Sequence, residues 1–573
     1  MKGFVQETEK KLPEDRDFGH GKVYVVFRRE AEIAFESNLY VRQYLAEFEE
    51  RITKRFWKND AKTKLYVTGP PGCGKTCFFY LWARLLSVQE QARVLIIQHR
   101  KTESCFVWIR EPGGKLWRWE QSMDPQELET TVRSILNKTS LRPFDLCVHD
   151  GVMTSCESSS RLTAKLNSDV VNKKIRKVAH VTSLAFNLST GGQRLDEKGA
   201  IVQETVDSWI LDDYIEAIKS PAFVQRLTDS KSPILEKGKK LFANDYCDDL
   251  ISDDEEPGMD FNREGEMTEL VAAKHYYAGG SARFMFEFSV ETLKELLDSK
   301  CGAVSNDQWE YFAQGNVASS TPWAVNTLMQ QFKRKAMPVS KYILLKAYER
   351  CQSQLVESMA ALAKDCGNPA IEGWAFELEQ IDLIRLSFRS SSPVVDFVDY
   401  ITNDQGLSFR PSEQVTFDGQ KLKDDANVSQ DGTVIWCQKW NQGCFDVAFF
   451  FNSVLVTLQF TVSSSHSLKP VYIRHLRDAL LTKDPSLEPS RCVHIGVTPT
   501  GTLEFDVGPE GTGRRREKTD TSEFTIKSYS SPPLKKKKDQ FVGNQFMPTK
   551  NAVNDIAMWK LFGKRKRSCS ERV

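Results

Sequence analysis

The sequence lacks several features that would place it in well-defined protein classes. No run of eighteen or more apolar residues occurs in its 573 residues, so no transmembrane helix and no membrane partner are expected. The stretch MKGFVQETEKKLPEDRDFGHG at residues 1–21 has no apolar core of the kind found in secretory signals. The thirteen cysteines include no C-x-x-C pair, which argues against a disulfide framework or a zinc cluster. Reduced thiols are therefore expected.

Net charge is also small, at +1, but the basic residues are unevenly distributed. Residues 511–573 carry 16 of the 78 Lys and Arg residues and only 6 of the 77 Asp and Glu residues. Within them, PPLKKKKD at 532–539 and GKRKR at 563–567 resemble nuclear localisation signals. These features predict a nuclear protein with a basic, disordered tail over 506–573. The alternative is a solvated charged tail that carries no address.

A nucleotide-binding loop is the clearest motif that the sequence contains. The stretch GPPGCGKT fits G-x-x-x-x-G-K-[ST], follows the apolar run LYVT and precedes an apolar helical run. Glycines allow a tight turn whose amide groups point at phosphates, the lysine neutralises the terminal phosphates, and the threonine hydroxyl binds Mg²⁺. The predicted nucleotide-binding residues are Gly69, Pro70, Pro71, Gly72, Cys73, Gly74, Lys75 and Thr76.

The segment FDLCVHDG predicts the partner of this loop. An apolar strand that ends in Asp150 would place a carboxylate at the carboxyl edge of a parallel sheet, beside the Mg²⁺. Asp145 is the weaker alternative because it opens the same strand. A Glu that activates water often follows this Asp in ATP hydrolases, but Gly151 stands here. Asp145, Glu157 or a residue of a partner remain as candidate general bases, so slow hydrolysis or binding alone is an open alternative.

Two further residues are candidates for contact with the phosphates. Thr182 or Ser183, in the strand HVTSLAF, would sense the γ-phosphate, unless the hydroxyl is satisfied by backbone. Arg283 follows the pair Gly279-Gly280 in YYAGGSARFMF and would reach back to the phosphates, unless it is a surface residue of an amphipathic helix.

The second half of the chain predicts another α/β module. The helical segment GNPAIEGWAFELEQIDLIRLSF carries Glu377, and the β segments TVIWCQKW, FDVAFFFN and VLVTLQFTV follow it. Short turns between these segments predict antiparallel pairing. A last strand, CVHIGVTP, follows an intervening helical stretch.

Taken together, the motifs resemble the Crinkler effectors of oomycetes and fungi and the retrotransposon hot spot proteins of trypanosomes. The resemblance covers roughly residues 40–500, and AGGSARFMF, GWAFELE and QFTVSSSH are its more specific stretches. It implies a STAND/AAA-like P-loop NTPase with a parallel sheet, fused to a degenerate restriction-endonuclease-like α/β domain, acting in the nucleus of a host cell. The Crinkler N-terminal header with its LFLAK-like motif is absent here. The expected divisions are a helical flanking segment 1–60, an NTPase domain 61–300, a helical linker 301–365, a nuclease-like domain 366–505 and the tail.

The resemblance also implies a second metal site. Glu377 matches the acidic residue on the first helix of such nuclease domains, and Asp446 matches the Asp of the second strand. The next motif would be E-x-K, where Gln459 and Thr461 stand. A metal held by acidic oxygens would activate water towards a phosphodiester, and Gln459 can supply a neutral ligand oxygen. His466 or Lys469 would have to replace the missing lysine.

The sequence thus predicts an ATP- or GTP-binding, Mg²⁺-dependent NTPase that regulates a nuclease-like domain acting on DNA. Homo-oligomers and a host nuclear protein are the other expected partners. The alternative is a non-enzymatic switch, in which nucleotide binding drives self-association and the degenerate second domain only binds nucleic acid or a host protein.

Overall fold

The structure is a computed structural model that describes part of the chain. The described residues are 4–7, 20–30, 33–99, 105–119, 125–137, 142–152, 156–183, 200–220, 223, 264–313, 323–332, 335–351, 353–366, 369–389, 413–417, 422, 428, 433–437, 445–451, 453–462, 465–468, 470–498, 504–507 and 524–530. They divide into two compact units, one up to Ala347 and one from Tyr348 onward. This division lies inside the predicted linker 301–365.

The first unit contains twelve strands and eleven helices among its described residues, and the last of these helices continues past Ala347 into the second unit. The strands are β1 Phe4–Glu7, β2 Val23–Glu30, β3 Ile33–Tyr40, β4 Lys64–Thr68, β5 Val94–Gln98, β6 Phe106–Arg110, β7 Leu116–Trp119, β8 Phe144–Val152, β9 Ile175–Thr182, β10 Ile201–Thr205, β11 Met329–Phe332 and β12 Lys335–Pro338. The helices are α1 Gln43–Ile52, α2 Lys75–Gln89, α3 Pro125–Asn137, α4 Glu157–Val171, α5 Leu211–Ala217, α6 Glu264–Ala278, α7 Ala282–Glu287, α8 Val290–Gly302, α9 Asn306–Ala313, α10 Trp323–Thr327 and α11 Lys341–Cys351. A π-helical turn, Thr53–Trp57, extends α1.

An eight-stranded sheet forms the centre of this unit, in the order β1-β7-β6-β5-β8-β9-β4-β10. The five neighbouring strands β5, β8, β9, β4 and β10 are parallel. Strands β6, β7 and β1 extend the sheet beyond β5 as antiparallel strands. This arrangement confirms the predicted α/β class with a mostly parallel central sheet. If the five parallel strands β4, β5, β8, β9 and β10 are numbered 1 to 5 in chain order, their order in the sheet is 5-1-4-3-2. Strand β9 therefore lies between β4 and β8. The ends of β4, β9 and β8 therefore meet at one edge.

Helices cover both faces of the parallel strands. The side chains of β5 alternate between two apolar clusters, one shared with α1 and α2 and one shared with α3 and α4. These clusters define an α2 face and an α4 face of the sheet. Because both faces are covered, all five residues of β5 are buried, which explains its continuous apolar sequence.

The N-terminal segment departs from the prediction of a helical flank over 1–60. Only α1 and the π-helical turn are helical among the residues described there, whereas β2 pairs with β3 as an antiparallel hairpin. β1 joins the edge of the central sheet beside β7. None of the helices in the described segments combines the length and apolarity needed to cross a lipid bilayer.

The second unit contains a smaller mixed sheet between helices. Its elements are α12 Ser353–Cys366, α13 Pro369–Arg389, β13 Glu413–Phe417, β14 Thr433–Cys437, β15 Val447–Phe451, β16 Val454–Phe460, β17 Ser465–Leu468, α14 Pro470–Lys483, β18 Arg491–Thr498, β19 Glu504–Val507 and β20 Phe524–Ser530. The sheet order is β13-β14-β15-β16-β18-β20. β14, β15 and β16 are antiparallel, as predicted, and β16, β18 and β20 are parallel. Side chains of α13 pack on one face and those of α14 on the other.

Strand β20 corrects the prediction of a disordered tail over 506–573. Residues 524–530 pair with all but the first residue of β18 and form the edge of the sheet. The parallel partner supplies backbone hydrogen bonds that composition alone does not reveal. The basic runs at 535–538 and 564–567 lie outside the described residues.

Candidate functional site

Three glycines give the loop between β4 and α2 its shape. Gly72 and Gly74 have φ angles of +80° and +97°, which a residue with a side chain rarely adopts. A Cβ on Gly69 would lie 2.7 Å from the carbonyl oxygen of Val206. The loop leads into α2 at Lys75. The amino terminus of this fifteen-residue helix therefore lies at the place where the phosphates are predicted to bind.

The side chain of Lys75 lies against the loop itself. Its ammonium group donates hydrogen bonds to the carbonyl oxygens of Gly69 and Pro70, both at 2.7 Å, and lies 3.5 Å from the sulfur of Cys73. A phosphate would compete with these carbonyls for the same ammonium group. Thr76 is the second residue of α2 and is half-buried, so its hydroxyl belongs to the same helix terminus.

A buried arginine fixes the segment that borders the loop. Arg42 donates to the carbonyl oxygens of Asp207 and Ser208 and forms a 3.2 Å ion pair with Asp213. These contacts hold the chain that follows β10. Val206, whose carbonyl approaches Gly69, belongs to that chain.

Asp150 lies near the carboxyl end of β8, as the sequence predicts. It is 6% exposed and its Cα partners are Gln98 in β5 and Val181 in β9. Leu146 and Val148 of the same strand pack in the cluster with α2, so alternation directs Asp150 to the α2 face. The carboxylate and the loop therefore share one edge and one face of the sheet.

Asp145 is excluded as an alternative to Asp150 and as a general base beside the loop. It lies at the opposite end of β8, where its carboxylate accepts the backbone amide of Arg93 at 2.9 Å and pairs with Arg142 at 3.5 Å. Its contacts are those of a structural residue. Glu157 begins α4, is 83% exposed and pairs with Arg161 at 3.3 Å.

The structure explains why glycine follows Asp150. Gly151 has a φ angle of +85° and occupies an irregularity in the pairing of β8 with β9. A Cβ at this position would overlap the carbonyl oxygen of His99. The backbone amide of His99, which follows β5, donates to the carbonyl of Asp150 in β8 at 2.8 Å. This hydrogen bond keeps β5 and β8 close. No side chain, and so no glutamate, fits at position 151.

The hydroxyl of Thr182 is occupied by backbone. It is buried and donates to the carbonyl oxygen of Val152 at 2.8 Å. Its neighbour Val181 packs on the α2 face, so alternation directs Thr182 to the other face. This arrangement corrects the assignment of Thr182 to the phosphates and favours the structural alternative. Ser183, the other candidate, follows at the end of the strand.

Arg283 is close to the loop. It lies in α7, and a Cβ on Gly72 would lie 3.1 Å from the Cβ of Arg283 and would overlap the hydroxyl of Ser281. The amide of Ala282 donates to the carbonyl of Gly72 at 3.1 Å. The guanidinium group of Arg283 pairs with Glu287 at 3.2 Å. Ser281, Ala282 and Arg283 therefore pack directly on the loop at Gly72.

On the α4 face, a row of histidines lies behind the candidate site. The rings of His99 and His149 are 6.0 Å apart, and those of His149 and His180 are 5.6 Å apart. His180 contacts Asn167 of α4 at 3.2 Å, and Asn167 donates to the hydroxyl of Tyr66 at 3.1 Å. Neither ring nitrogen of His149 has a hydrogen-bond partner among the described residues.

Burial keeps this histidine row neutral. Burial lowers the pKa of His99 and lowers that of His149 well below its ordinary value; the neighbouring His180 and His99 lower the pKa of His149 further. Burial, and then the charge of Lys64, lower the pKa of His180 to about 3. Protonation of the row therefore opposes the folded state.

The second predicted site is only partly assembled. The carboxylate of Asp446 accepts the backbone amide of Phe460 at 2.7 Å, which places it beside Gln459 at the end of β16. Leu458 and Phe460 pack with Phe376 of α13. Alternation along β16 therefore directs Gln459 to the face opposite α13.

Glu377 lies on α13, next to Phe376, so the structure does not place Glu377 and Gln459 on the same face of the sheet. Among the described residues, no three His, Cys, Asp or Glu side chains gather closely enough to hold a metal ion. His466 lies in β17, and Lys469 is outside the described residues. The predicted set of Glu377, Asp446 and Gln459 therefore does not form one cluster.

Gln98 is a residue that the sequence did not single out. It ends β5 beside Asp150, and its side chain is directed to the same face. The only sequence signal was a polar residue at the end of the apolar run RVLIIQH, which is not specific.

Comparison with known proteins adds little to this geometry. No family model matches the chain, and no curated protein matches it in sequence. Among solved structures, the chain is similar to a DNA replication initiation factor, with 8% identity, a TM-score of 0.22 and coverage of 59% of this chain and 93% of that one. It is similar to the replication initiator DnaA bound to AMPPCP and single-stranded DNA, with 10% identity, a TM-score of 0.23 and coverage of 60% and 87%. It is also similar to a mutant of Thermotoga maritima RuvB, with 11% identity, a TM-score of 0.25 and coverage of 54% and 92%. At TM-scores this low, functional inference depends on the site geometry.

Proposed function

We propose that the first unit is a Mg²⁺-dependent P-loop NTPase that binds ATP or GTP. One observation carries this proposal: the loop Gly69–Thr76 and Asp150 occupy the same edge and face of a parallel sheet, separated by a single strand. The loop backbone is shaped by glycines: Gly69 and Gly72 have no room for a side chain, and Gly74 has a φ angle of +97°. This combination provides amide donors, a cation and a carboxylate around one volume.

The residues present fit a phosphate-bound magnesium ion. Mg²⁺ prefers hard oxygen ligands and is usually held by one or two protein groups together with substrate phosphates. The hydroxyl of Thr76 and the carboxylate of Asp150 would hold it, and the ion would neutralise charge on the phosphates. Lys75 exchanges its carbonyl partners for the terminal phosphates, and Arg283 exchanges Glu287 for them.

The test is nucleotide binding and hydrolysis by purified full-length protein with ATP and with GTP. Lys75→Ala should weaken binding strongly and abolish hydrolysis, whereas Asp150→Asn should mainly impair the use of Mg²⁺. Lys58→Ala, at an exposed position in the same unit, is the matched control and should behave as the parent. Retained hydrolysis by the Lys75→Ala protein would overturn the proposal.

For the second unit, we propose a nuclease-like role on DNA that is regulated by the nucleotide. Its order of α13, three antiparallel strands, α14 and a strand parallel to the third supports the restriction-endonuclease-like module implied by the resemblance. Asp446, which directly precedes β15 and accepts the amide of Phe460 at the end of β16, is the residue expected to contribute most to a metal site. Incubation of plasmid DNA with the protein and Mg²⁺ or Mn²⁺, with and without ATP, tests this role.

The second candidate function is a nucleotide-dependent switch without nuclease activity. It is favoured by the separation of Gln459 from Glu377 and by Thr461, which stands where the nuclease motif has a lysine. In this case the second unit binds nucleic acid or a host nuclear protein, and the nucleotide controls self-association. Nucleotide-dependent oligomerisation in sedimentation, together with no metal-dependent cleavage of single- or double-stranded DNA, would establish the switch and exclude the nuclease.

We further propose that the protein is a Crinkler-like nuclear effector. The support is the resemblance and the basic runs Lys535–Lys538 and Lys564–Arg567. Neutralising both runs should leave a tagged protein in the cytoplasm. Unchanged nuclear accumulation would show that the runs are not the address, and a phosphate-binding role would then be preferred.

A further inference from the structure

We propose that Gln98 positions the attacking water in the nucleotide hydrolysis assigned to the first unit. This inference rests on the proposed NTPase function and adds a residue to its chemistry. Hydrolysis needs a group that holds water in line with the terminal phosphate. The position directly after Asp150 cannot supply that group, because Gly151 has no room for a side chain.

The pairing of strands brings Gln98 to Asp150. Gln98 is the last residue of β5, and its Cα partner in the parallel strand β8 is Asp150. Parallel strands end at the same edge, so both residues lie at the edge where α2 begins.

Both side chains also lie on the same face of the sheet. Val94 and Ile96 of β5 pack in the apolar cluster that contains Leu146 and Val148 of β8. Alternation therefore directs Gln98 and Asp150 to the α2 face. Gln98 is 7% exposed, so its amide is largely withdrawn from bulk solvent. A buried amide has few competing water partners.

The other candidates are placed less favourably. Asp145 lies at the opposite end of β8 and is bonded to the amide of Arg93. Glu157 is 83% exposed and is paired with Arg161. The hydroxyl of Thr182 donates to Val152. Gln98 is the polar side chain that the sheet pairs with Asp150.

A glutamine can position water without acting as a base. Its amide oxygen accepts a hydrogen bond from the water, whose oxygen forms the new bond to the γ-phosphorus. The bond from that phosphorus to the β–γ bridging oxygen breaks, and its electron pair leaves on the nucleoside diphosphate. The water proton passes to an oxygen of the released phosphate. Because no side chain takes the proton, Gln98 predicts slow hydrolysis with a rate that varies little with pH near neutrality.

The experiment compares Gln98→Ala, Gln98→Glu and Gln203→Ala in the full-length protein, using ATP and Mg²⁺. Gln98→Ala should lower kcat about 100-fold and leave the dissociation constant for a non-hydrolysable ATP analogue unchanged. Gln98→Glu restores a hydrogen-bond acceptor and should recover the rate, with a new decline of activity at acidic pH. Gln203→Ala, at an exposed position of β10, is the matched control and should match the parent.

Each outcome has a defined meaning. Full hydrolysis by Gln98→Ala overturns the role, and so does a loss of nucleotide binding equal to the loss of kcat, because that would indicate a structural residue. If the parent binds ATP without hydrolysing it, Gln98 has no such role while the binding function stands. If the parent binds no nucleotide, the proposed NTPase function fails, and this role fails with it.

Discussion

Gly151 and His99 approach so closely that a single added carbon at Gly151 would overlap the carbonyl oxygen of His99. This approach lies between β8 and β5, next to Asp150. Backbone packing therefore explains why glycine, and not the glutamate that often follows this Asp in ATP hydrolases, stands at position 151. Glycine at position 151 preserves the junction of β8 and β5.

We expect Gly151→Ala to destabilise the first unit by more than the cost of its left-handed φ angle. Gly113 provides a matched control, because its φ angle of +81° is similar and its surroundings are open. Gly113→Ala should cost about 1–2 kcal/mol from backbone conformation alone. Gly151→Ala adds overlap with His99 and should cost clearly more. Equal midpoints of urea unfolding for the two variants would contradict this account.

Placing a glutamate at position 151 should not create a faster enzyme. Gly151→Glu puts a carboxylate after Asp150 but forces β8 away from His99, so we expect lower hydrolysis and a lower Tm. Gln98→Glu, which needs no such movement, is the comparison. Higher kcat in Gly151→Glu than in the parent would show that the strand junction yields more easily than its geometry indicates.

Acid should destabilise the first unit through its histidine row. Each imidazole has a lowered pKa in the folded protein, so the unfolded chain binds more protons below about pH 6.5. Stability is then complete above that pH and declines as the pH falls towards 3, by up to about 1.4 kcal/mol per histidine and pH unit.

The charged group that acts on the row is Lys64, which lowers the pKa of His180. His275 in α6 is half-buried, and desolvation lowers its pKa to about 4, so it adds to the same slope. Urea unfolding between pH 5 and 8 measures the effect, and His149→Gln should flatten it. A pH-independent stability over that range would contradict neutral burial of the row.

We expect the pair Arg283 and Glu287 to regulate nucleotide affinity in opposite directions. Arg283→Ala removes a cation beside Gly72 and should weaken ATP binding about tenfold. Glu287→Ala releases Arg283 from its 3.2 Å ion pair and should tighten binding. Calorimetric titration of both variants measures this difference. Equal affinities would show that Arg283 does not reach the phosphates.

Asp446 should separate structure from catalysis in the second unit. Its carboxylate accepts the amide of Phe460, so Asp446→Ala should cost about 1–3 kcal/mol of stability. Asp446→Asn keeps an acceptor oxygen and should retain most of the stability, but it removes the charge that a metal needs. Metal-dependent cleavage that disappears in the Asn variant at unchanged Tm would support the nuclease role. Cleavage that persists in both variants would exclude Asp446 from the metal site.

The loop and Asp150 could be predicted because their signals are local. Glycine spacing, a preceding apolar strand and an acid at a strand end are all readable over a few residues. Gln98 and Gly151 could not be read in this way, since their meaning depends on which residues of β5 and β8 lie side by side. Which face of the sheet Gln459 occupies depends on how its neighbours pack against α13, and the resemblance could not predict that face.

Three strands were missed because the surrounding composition dominated. The segment FTIKSYS has β-forming residues, but it lies in a charged tail that indicates disorder. The strands VYVVFRRE and IAFESNLY precede a helical stretch, and that stretch led to the prediction that residues 1–60 are a helical flank. β20 is held by a long-range pairing with β18, whereas β2 and β3 are adjacent in the chain and pair with each other, and in both cases the pairing overrides the average composition.

The position of β20 has a practical consequence for the choice of expression boundaries. Removing the basic tail by ending the chain near residue 510 would also remove β20, and β18 would become an edge strand. Seven of its eight residues are buried in the intact sheet, and its backbone donors and acceptors would then be open to another chain. Such a truncation should aggregate during purification. A chain ending after Ser530 keeps β20 paired with β18, and substitution of the lysines tests their role without this artefact.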